Sequence, residues 1–205
     1  MIATAAIADE LELVGWRREV AELYAAVRQA SSPQNGHALW RAGRDRLFQE
    51  HPQSPLAPDD PLRGGLPYAA YEPTLRWQLT IQPVADNRRV MVQTAPGEST
   101  RLRRLGHIAL PAPINATIAV WWLEQYGGGL FIPIRDGTAG TTSYGGGRYL
   151  IDTTKGADLG GRDGQLTVDL NFLFNPSCRY DAQWQCPLAP ADNVIDSAIH
   201  AGEQI

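Results

Sequence analysis

Lysine is nearly absent from this chain of 205 residues, and long hydrophobic runs are missing altogether. Lys155 is the only lysine among 18 basic residues, so positive charge is carried by arginine, which suits bidentate pairing with carboxylates or phosphates. No stretch approaches the roughly 20 apolar residues that a membrane span needs. Residues 1–8 also lack the basic segment and apolar run of a signal peptide. We therefore expect a cytoplasmic protein that does not enter a membrane.

An excess of positive charge is missing too. The 18 basic residues face 22 acidic ones, which gives a formal net charge of −4. Nucleic-acid-binding domains are normally basic, so the charge balance argues against a nucleic-acid partner. The expected partner is therefore a small molecule, or a second copy of the chain in a homo-oligomer.

Cysteine is limited to Cys178 and Cys186, which seven residues separate. A structural zinc site takes four ligands, and His200 is the only further Cys or His nearby, so no metal site is predicted. A disulfide would close the loop between the two cysteines, whereas the expected cytoplasmic location favours free thiols. A Cys–His nucleophile pair also stays open, although no motif supports it.

Two amphipathic helices are predicted at the N-terminus. Over residues 8–29 the apolar side chains recur at spacings of three and four. A second helix is predicted over residues 37–50, where Arg41 and Asp45 are spaced to form an ion pair. Residues 31–36 are rich in turn formers and predict a connector between the two helices.

Short strands dominate the rest of the chain. A strand is predicted over residues 76–82, where apolar and polar side chains alternate. Residues 88–94 predict a second strand, and the turn residues Asp86 and Asn87 between the two predict that they form a β-hairpin. Further strands are predicted at 114–123, 130–133, 148–152 and 165–174.

These elements predict a single domain of the α+β class. Two N-terminal helices, within residues 1–51, are expected to pack on an antiparallel β-barrel or sandwich of six to seven strands within residues 71–174. The proline-rich residues 52–70 predict an extended connection. The irregular tail, residues 175–205, must be held by side-chain contacts or be mobile.

The candidate site is the glycine-rich loop of residues 135–148. Arg135 and Arg148 would hold the negative group of a small polar or anionic ligand, and Thr138 and Tyr144 would orient it. Asp136 is the candidate general base, and Tyr144 is a second, weaker catalytic candidate. The glycine spacing fits neither a P-loop nor a dinucleotide fingerprint, so no cofactor is predicted, and only fold-level analogy suggests a flavin.

Three further polar residues are expected to support this site. Asp169 and Asn171 alternate with apolar residues on one predicted strand, so their side chains share a face, and Asn175 follows that strand. They would converge with Arg148 and Tyr144 on the ligand. The alternative is that Asp169 forms a buried pair with an arginine that serves only the fold.

The C-terminal motifs resemble a known family. They comprise Phe131-x-Pro-x-Arg-Asp-Gly-Thr-x-Gly140, Thr142-Ser-Tyr-x-Gly-Gly-Arg-Tyr-Leu150, Val168-Asp-Leu-Asn-Phe172, Phe174-Asn-Pro-Ser-Cys178, Cys186-Pro-Leu-Ala-Pro190 and Ala201-Gly-Glu203. Together they are similar to the bacterial and archaeal domain of unknown function numbered 1684. The resemblance implies a shared fold and no particular activity.

Two hypotheses of function follow. In the first, the protein is a ligand-binding β-barrel, and an enzyme if Asp136 acts as a base. In the second, it is a non-catalytic interaction or scaffold domain whose polar loop residues form an internal hydrogen-bond network. The second hypothesis predicts that Arg148→Ala and Asp169→Ala are strongly destabilising, whereas the first predicts that Arg148→Ala abolishes binding and preserves the fold.

Overall fold

The computed structural model describes residues 2–95 and 98–205, and its helical layer consists of α1 (Ile2–Gln29) and α2 (Pro33–Glu50). Helix α2 begins earlier than predicted. The Ser32 hydroxyl caps it by accepting a hydrogen bond from the Asn35 amide at 3.1 Å, and Pro33 occupies the first turn. Residues 33–36 therefore form the first turn of the helix and the connector shortens to residues 30–32, since serine and proline occur both in turns and at helix starts.

The predicted contact between Arg41 and Asp45 is replaced by contacts with the segment that follows α2. The Asp45 carboxylate accepts a hydrogen bond from the Leu66 amide at 3.0 Å, and the Arg41 guanidinium lies 5.0 Å from the centre of the Tyr68 ring.

None of the described helices is long and apolar enough to cross a membrane.

The larger sheet has six antiparallel strands, which are β2 (Gln82–Pro83), β3 (Arg89–Ala95), β4 (Glu98–Leu110), β5 (Ala116–Leu123), β6 (Leu130–Ile134) and β7 (Arg148–Asp152). They are arranged in the order β2-β4-β5-β6-β7, with β3 also paired to β4. The smaller sheet has the order β1-β9-β8, with β1 (Arg76–Thr80), β8 (Gly161–Arg162) and β9 (Gln165–Asp169).

The predicted hairpin between residues 76–82 and 88–94 is wrong. Strand β1 pairs with β9 in the smaller sheet, and β3 pairs with β4 in the larger one. Alternation identifies a strand and its buried face, but it does not identify the partner strand. The strand predicted at 165–174 is also too long, because the Asp169 carboxylate caps a 3-10 turn at residues 170–172.

The α+β class is confirmed, whereas nine strands in the described part of the chain replace the six to seven that were predicted. Seven strands have five or more residues, while β2 and β8 have two each. Among the described residues no strand pairing closes either sheet into a barrel, so the predicted barrel or sandwich is not confirmed. At the β7 side, the larger sheet continues through isolated bridges, which join Tyr149 to Phe174 and Asp152 to Ala157.

The main core is assembled from both sheets and the C-terminal tail. Ile118, Ile132 and Leu150 of the larger sheet pack in one cluster with Val168 of β9 and with Ile199 of the tail. A separate cluster under the helices includes Tyr24, Trp40 and Phe172.

The tail is fixed by backbone hydrogen bonds. The Ile195 amide donates to the Arg135 carbonyl at 2.9 Å, and the Glu203 amide donates to the Leu173 carbonyl at 2.8 Å. The irregular tail is thereby brought against the glycine-rich loop.

Candidate functional site

The glycine-rich loop is organised by a buried ion pair between its two ends. The Arg148 guanidinium donates to the Asp136 carboxylate at 2.8 Å, and both side chains are shielded from solvent. Arg148 stands at the start of β7, next to Ile134 at the end of β6 in the sheet register, which places it beside Asp136. The fold itself therefore brings the two charges together.

Arg148 also holds the C-terminal tail. Its guanidinium donates to the backbone carbonyls of Ile199 at 3.0 Å, Ala201 at 2.5 Å and Glu203 at 3.0 Å. Four hydrogen bonds thus join this one side chain to the loop and to three residues of the tail. The Nε atom has no hydrogen-bond partner among the described residues, but the side chain is fully buried and therefore closed to an external anion.

The Asp136 carboxylate is similarly enclosed. One oxygen accepts hydrogen bonds from the Thr138 amide at 2.9 Å, the Thr138 hydroxyl at 2.6 Å and the Ile199 amide at 3.1 Å. Burial alone would raise the pKa of Asp136, but the Arg148 charge and the hydrogen bonds from Thr138 and Arg148 lower it below its usual value. A general base needs a pKa near the working pH and an accessible lone pair, and this carboxylate has neither.

The other predicted loop residues point to different surroundings. The exposed Arg135 donates to the Gly145 carbonyl at 2.9 Å. The half-buried Tyr144 lies with its hydroxyl 3.9 Å from the Cys178 sulfur. Gly137 packs so closely on the tail that a Cβ there would lie 2.3 Å from the Asp196 carbonyl oxygen. This glycine permits the close approach of loop and tail.

Asp169 and Asn171 form a second network, away from Arg148. The Asp169 carboxylate pairs with Arg76 at 3.1 Å, its direct cross-strand neighbour on β1. It also accepts hydrogen bonds from the Asn171 amide at 3.1 Å and side chain at 2.8 Å. The Asn171 side chain in turn exchanges hydrogen bonds with the Glu72 backbone at 2.7 and 2.9 Å. An Asp–Arg pair therefore exists with Asp169 buried, but the arginine is Arg76, whose side chain is 30% exposed.

A buried histidine adjoins this second network. The His37 Nε2 atom lies 3.0 Å from the Asn171 carbonyl oxygen, so this nitrogen carries the proton and donates. Burial, aided by the positive charge of Arg41, lowers the pKa of His37 to about 4. His37 is therefore neutral at physiological pH.

A cavity of about 310 Å³ opens beside Arg76, between the helices and the smaller sheet. Its polar lining includes Arg28, Arg76 and Arg162, together with Gln78 and Thr167, and no acidic side chain. Arg28 donates to the Asp158 carbonyl at 2.6 Å, whereas Arg162 forms no ion pair with any described residue. This space is called the arginine cavity below.

Helix termini contribute little net charge to the arginine cavity. Residues at the C-terminal end of α1 line it, and so do Ser32, Pro33 and Gly36 at the start of α2. The partial negative charge of the first terminus opposes the partial positive charge of the second. The positive potential of the cavity therefore comes from its arginines.

Asn175 belongs to a third polar group, built around Glu203. This glutamate is fully buried and accepts hydrogen bonds from Arg44 of α2 at 2.7 Å, from the Asn175 amide at 2.8 Å and from the Tyr180 hydroxyl. Burial raises the pKa of Glu203, against the opposing effect of the Arg44 charge. The pair ties α2 to the tail.

Both cysteines are free thiols near Tyr144. Cys178 is half-buried and Cys186 is buried. Interaction with the neighbouring Cys178 side chain lowers the pKa of Cys186, while the same interaction and burial raise the pKa of Cys178. Across residues 2–95 and 98–205, no group of three or more His, Cys, Asp or Glu side chains is placed to hold a metal ion.

The predicted residues thus do not converge on one pocket. Three of them, Asp136, Thr138 and Arg148, close on each other, while Asp169, Asn171 and Asn175 lie in separate networks, as described above. Sequence reasoning missed the arginines of the cavity, which come from α1, β1 and β8. The only signal was the position of Arg76 at the start of an alternating strand.

Comparison with known proteins places these features in a family. A family model described as "Protein of unknown function (DUF1684)" matches residues 64–204, which include both sheets, the loop and almost all of the tail. No curated protein matches. A solution structure of an uncharacterised protein from Haloarcula marismortui is 30% identical, covers 80% of this chain and 90% of its own, and superposes with a TM-score of 0.56. The chain therefore belongs to the DUF1684 family.

Proposed function

We propose that the protein binds a small anionic molecule, with one or more phosphate or carboxylate groups, in the arginine cavity. The observation that carries the proposal is that three arginines and no acidic side chain line this one space. Arginine presents several N–H donors in a planar fork, which matches the geometry of carboxylate and phosphate oxygens.

The arginines are not fully neutralised by their neighbours. Asp169 uses one oxygen to pair with Nη1 of Arg76, and Arg28 is held only by a neutral carbonyl. Arg162 has no carboxylate partner within the described residues. The cavity therefore carries an excess of positive charge in a protein whose overall charge is −4. An anion there would gain Coulomb energy and charge-assisted hydrogen bonds.

The size and lining of the cavity limit the ligand. A volume of about 310 Å³ lies at the lower end of the range for small-molecule sites. Leu159 and Phe172 supply an apolar wall, while Gln78 and Thr167 offer neutral hydrogen-bonding groups. These features favour a compact ligand that has one small uncharged portion besides its anionic group.

The loop of residues 135–148 has a different role in this proposal. Its buried Asp136–Arg148 pair supports the hypothesis of an internal structural network, because both side chains are closed to solvent and are hydrogen-bonded to the loop and the tail. The loop then anchors the tail, and binding takes place elsewhere. The proposal includes no catalytic step.

Isothermal titration calorimetry with inorganic pyrophosphate and with succinate at low ionic strength tests the proposal and separates phosphate from carboxylate recognition. We expect saturable binding of at least one anion, weakened about tenfold or more by Arg162→Gln, because the loss of one charge-assisted contact costs at least about 1.4 kcal/mol. Arg18→Gln is the matched control, since Arg18 is an exposed arginine of α1 outside the cavity.

Two results would contradict the proposal. One is the absence of saturable heat with both anions. The other is an equal loss of affinity in the Arg162→Gln and Arg18→Gln proteins, which would indicate a general effect of protein charge.

A further inference from the structure

A second cavity lies between the helices and the tail, separate from the arginine cavity. Its volume is about 60 Å³, and its apolar lining includes Trp16, Val20, Phe48 and Phe174. Arg44 and Asn175 form part of its polar lining. We refer to it as the interlayer cavity.

One residue of this lining, Asn175, carries an unused hydrogen-bond acceptor. The Oδ1 atom of Asn175 is buried and has no hydrogen-bond partner among the described residues, while its Nδ2 atom donates to the Gln204 carbonyl at 3.0 Å. Because a carbonyl can only accept, the bond to Gln204 fixes which atom of the amide is nitrogen. The free atom of Asn175 is therefore an acceptor, and only 3% of the residue is exposed.

A donor accompanies this acceptor. The Nε atom of Arg44 is buried and lacks a hydrogen-bond partner within the described residues. The Arg44 guanidinium is held by Glu203 at 2.7 Å and lies about 5 Å from the centres of the Phe48 and Phe174 rings. Its orientation is thus fixed by contacts on several sides.

Electrostatics excludes a charged occupant at this depth. The positive charge of Arg44 is already compensated by the fully buried Glu203, and the same Glu203 oxygen accepts from the Asn175 amide. A carboxylate placed between Arg44 and Asn175 would face Glu203 and an acceptor oxygen, and its burial would be costly. A neutral group that both accepts and donates satisfies both unpaired atoms.

We propose that the interlayer cavity binds the carboxamide group of a short aliphatic amide, with Arg44 Nε donating to its oxygen and Asn175 Oδ1 accepting from its nitrogen. The aliphatic portion would lie against Val20, Phe48 and Phe174. A cavity of about 60 Å³ is smaller than the cavity of about 150 Å³ that is known to bind benzene, so the enclosed part must be smaller than a benzene ring. Propionamide has this size and chemistry.

Titration of the ¹⁵N-labelled protein with propionamide, followed by NMR, tests the site. We expect saturable shifts of the Asn175 side-chain amide and of the Trp16 indole N–H, with a dissociation constant of roughly millimolar order for so small a ligand. Propionate, which has the same shape and a negative charge, should bind at least about tenfold more weakly, for the electrostatic reason given above.

Two variants of the cavity and one control test the proposal further. Asn175→Leu removes the acceptor at similar side-chain volume and should weaken propionamide binding about tenfold. Ala157→Val adds two methyl groups to the cavity wall and should weaken binding to a similar extent. Arg162→Gln lies outside this cavity and should leave propionamide affinity unchanged, so failure here is separate from failure of anion binding. Three results would overturn the proposal. Propionate could bind as tightly as propionamide, or Asn175→Leu could leave the propionamide affinity unchanged. The third result is the absence of any saturable shift, which would indicate that water alone fills the cavity.

Discussion

Replacement of Arg148 by alanine probes the structural role of the glycine-rich loop. The change would leave Asp136 as a buried carboxylate without its counter-ion, and it would remove the donor of three tail carbonyls. Breaking a buried ion pair by removal of one partner costs about 3–5 kcal/mol. For a chain of this length, that loss corresponds to a melting temperature lower by roughly 6–20 °C.

The assay is equilibrium unfolding in urea, with thermal unfolding as a second probe. Arg135→Ala is the matched control, because Arg135 lies at the other end of the loop, is exposed and makes one hydrogen bond to a backbone carbonyl. Its free energy of unfolding should change by no more than about 0.5 kcal/mol.

A double variant separates the lost pair from lost packing. Arg148→Met combined with Asp136→Leu removes both charges, so it should be less destabilised than Arg148→Met alone. Near-native stability of Arg148→Ala would refute the structural role of the pair. An equal loss of stability in Arg135→Ala would show that the effect does not depend on burial.

Three other perturbations have defined outcomes. The pKa of His37 is about 4 in the folded protein and about 6.5 in the unfolded chain. The contribution of His37 to the free energy of unfolding is therefore fully present above pH 6.5. As the pH falls towards 4, the free energy of unfolding should decrease by about 3 kcal/mol. Urea unfolding across this range should show a smaller pH dependence in His37→Gln, and an identical dependence would contradict the assignment. Gly137→Ala should lower stability by about 1–3 kcal/mol because its Cβ would meet the Asp196 carbonyl, whereas Gly145→Ala, whose nearest neighbour is 3.7 Å away, should be tolerated in thermal unfolding. Asp169→Ala should cost about 1–3 kcal/mol in urea unfolding, because it removes the acceptor of Asn171 and of the partly exposed Arg76, and a loss below about 0.5 kcal/mol would argue against a structural role of this network.

Local patterns account for the elements that the sequence predicted well. Strand β7 was predicted with its observed bounds, Arg148–Asp152, because glycine-rich residues precede it and apolar residues fill it. The first helix follows from a long apolar stripe at helical spacing. In both cases the signal lies within the element itself.

Strand β4, the longest in the structure, escaped prediction for a physical reason. Its register shifts between Arg104 and Gly106, which marks a β-bulge. Leu102 and Ile108, both fully buried, are six residues apart, yet they pack in different core clusters because the bulge between them reverses the faces of the strand. Arginines also interrupt the pattern between them. A strand with such a bulge carries no clean alternation.

The candidate site was predicted less well than the fold, because its contacts join distant segments. The sequence indicated that Asp169 would pair with an arginine, but Arg76 lies 93 residues away in the chain. The Arg44–Glu203 pair spans 159 residues. Which strands pair decides which charges meet, and local spacing does not contain that information.

The most direct test of the central claim is an NMR titration that follows the arginine Nε–H signals while inorganic pyrophosphate is added. The claim is that an anion binds at the arginine cavity and that the loop arginine serves the fold. We predict saturable shifts of the Arg28, Arg76 and Arg162 signals with one common dissociation constant, and no comparable shift of Arg148. Saturable movement of Arg148 without movement of the three cavity arginines would contradict the account.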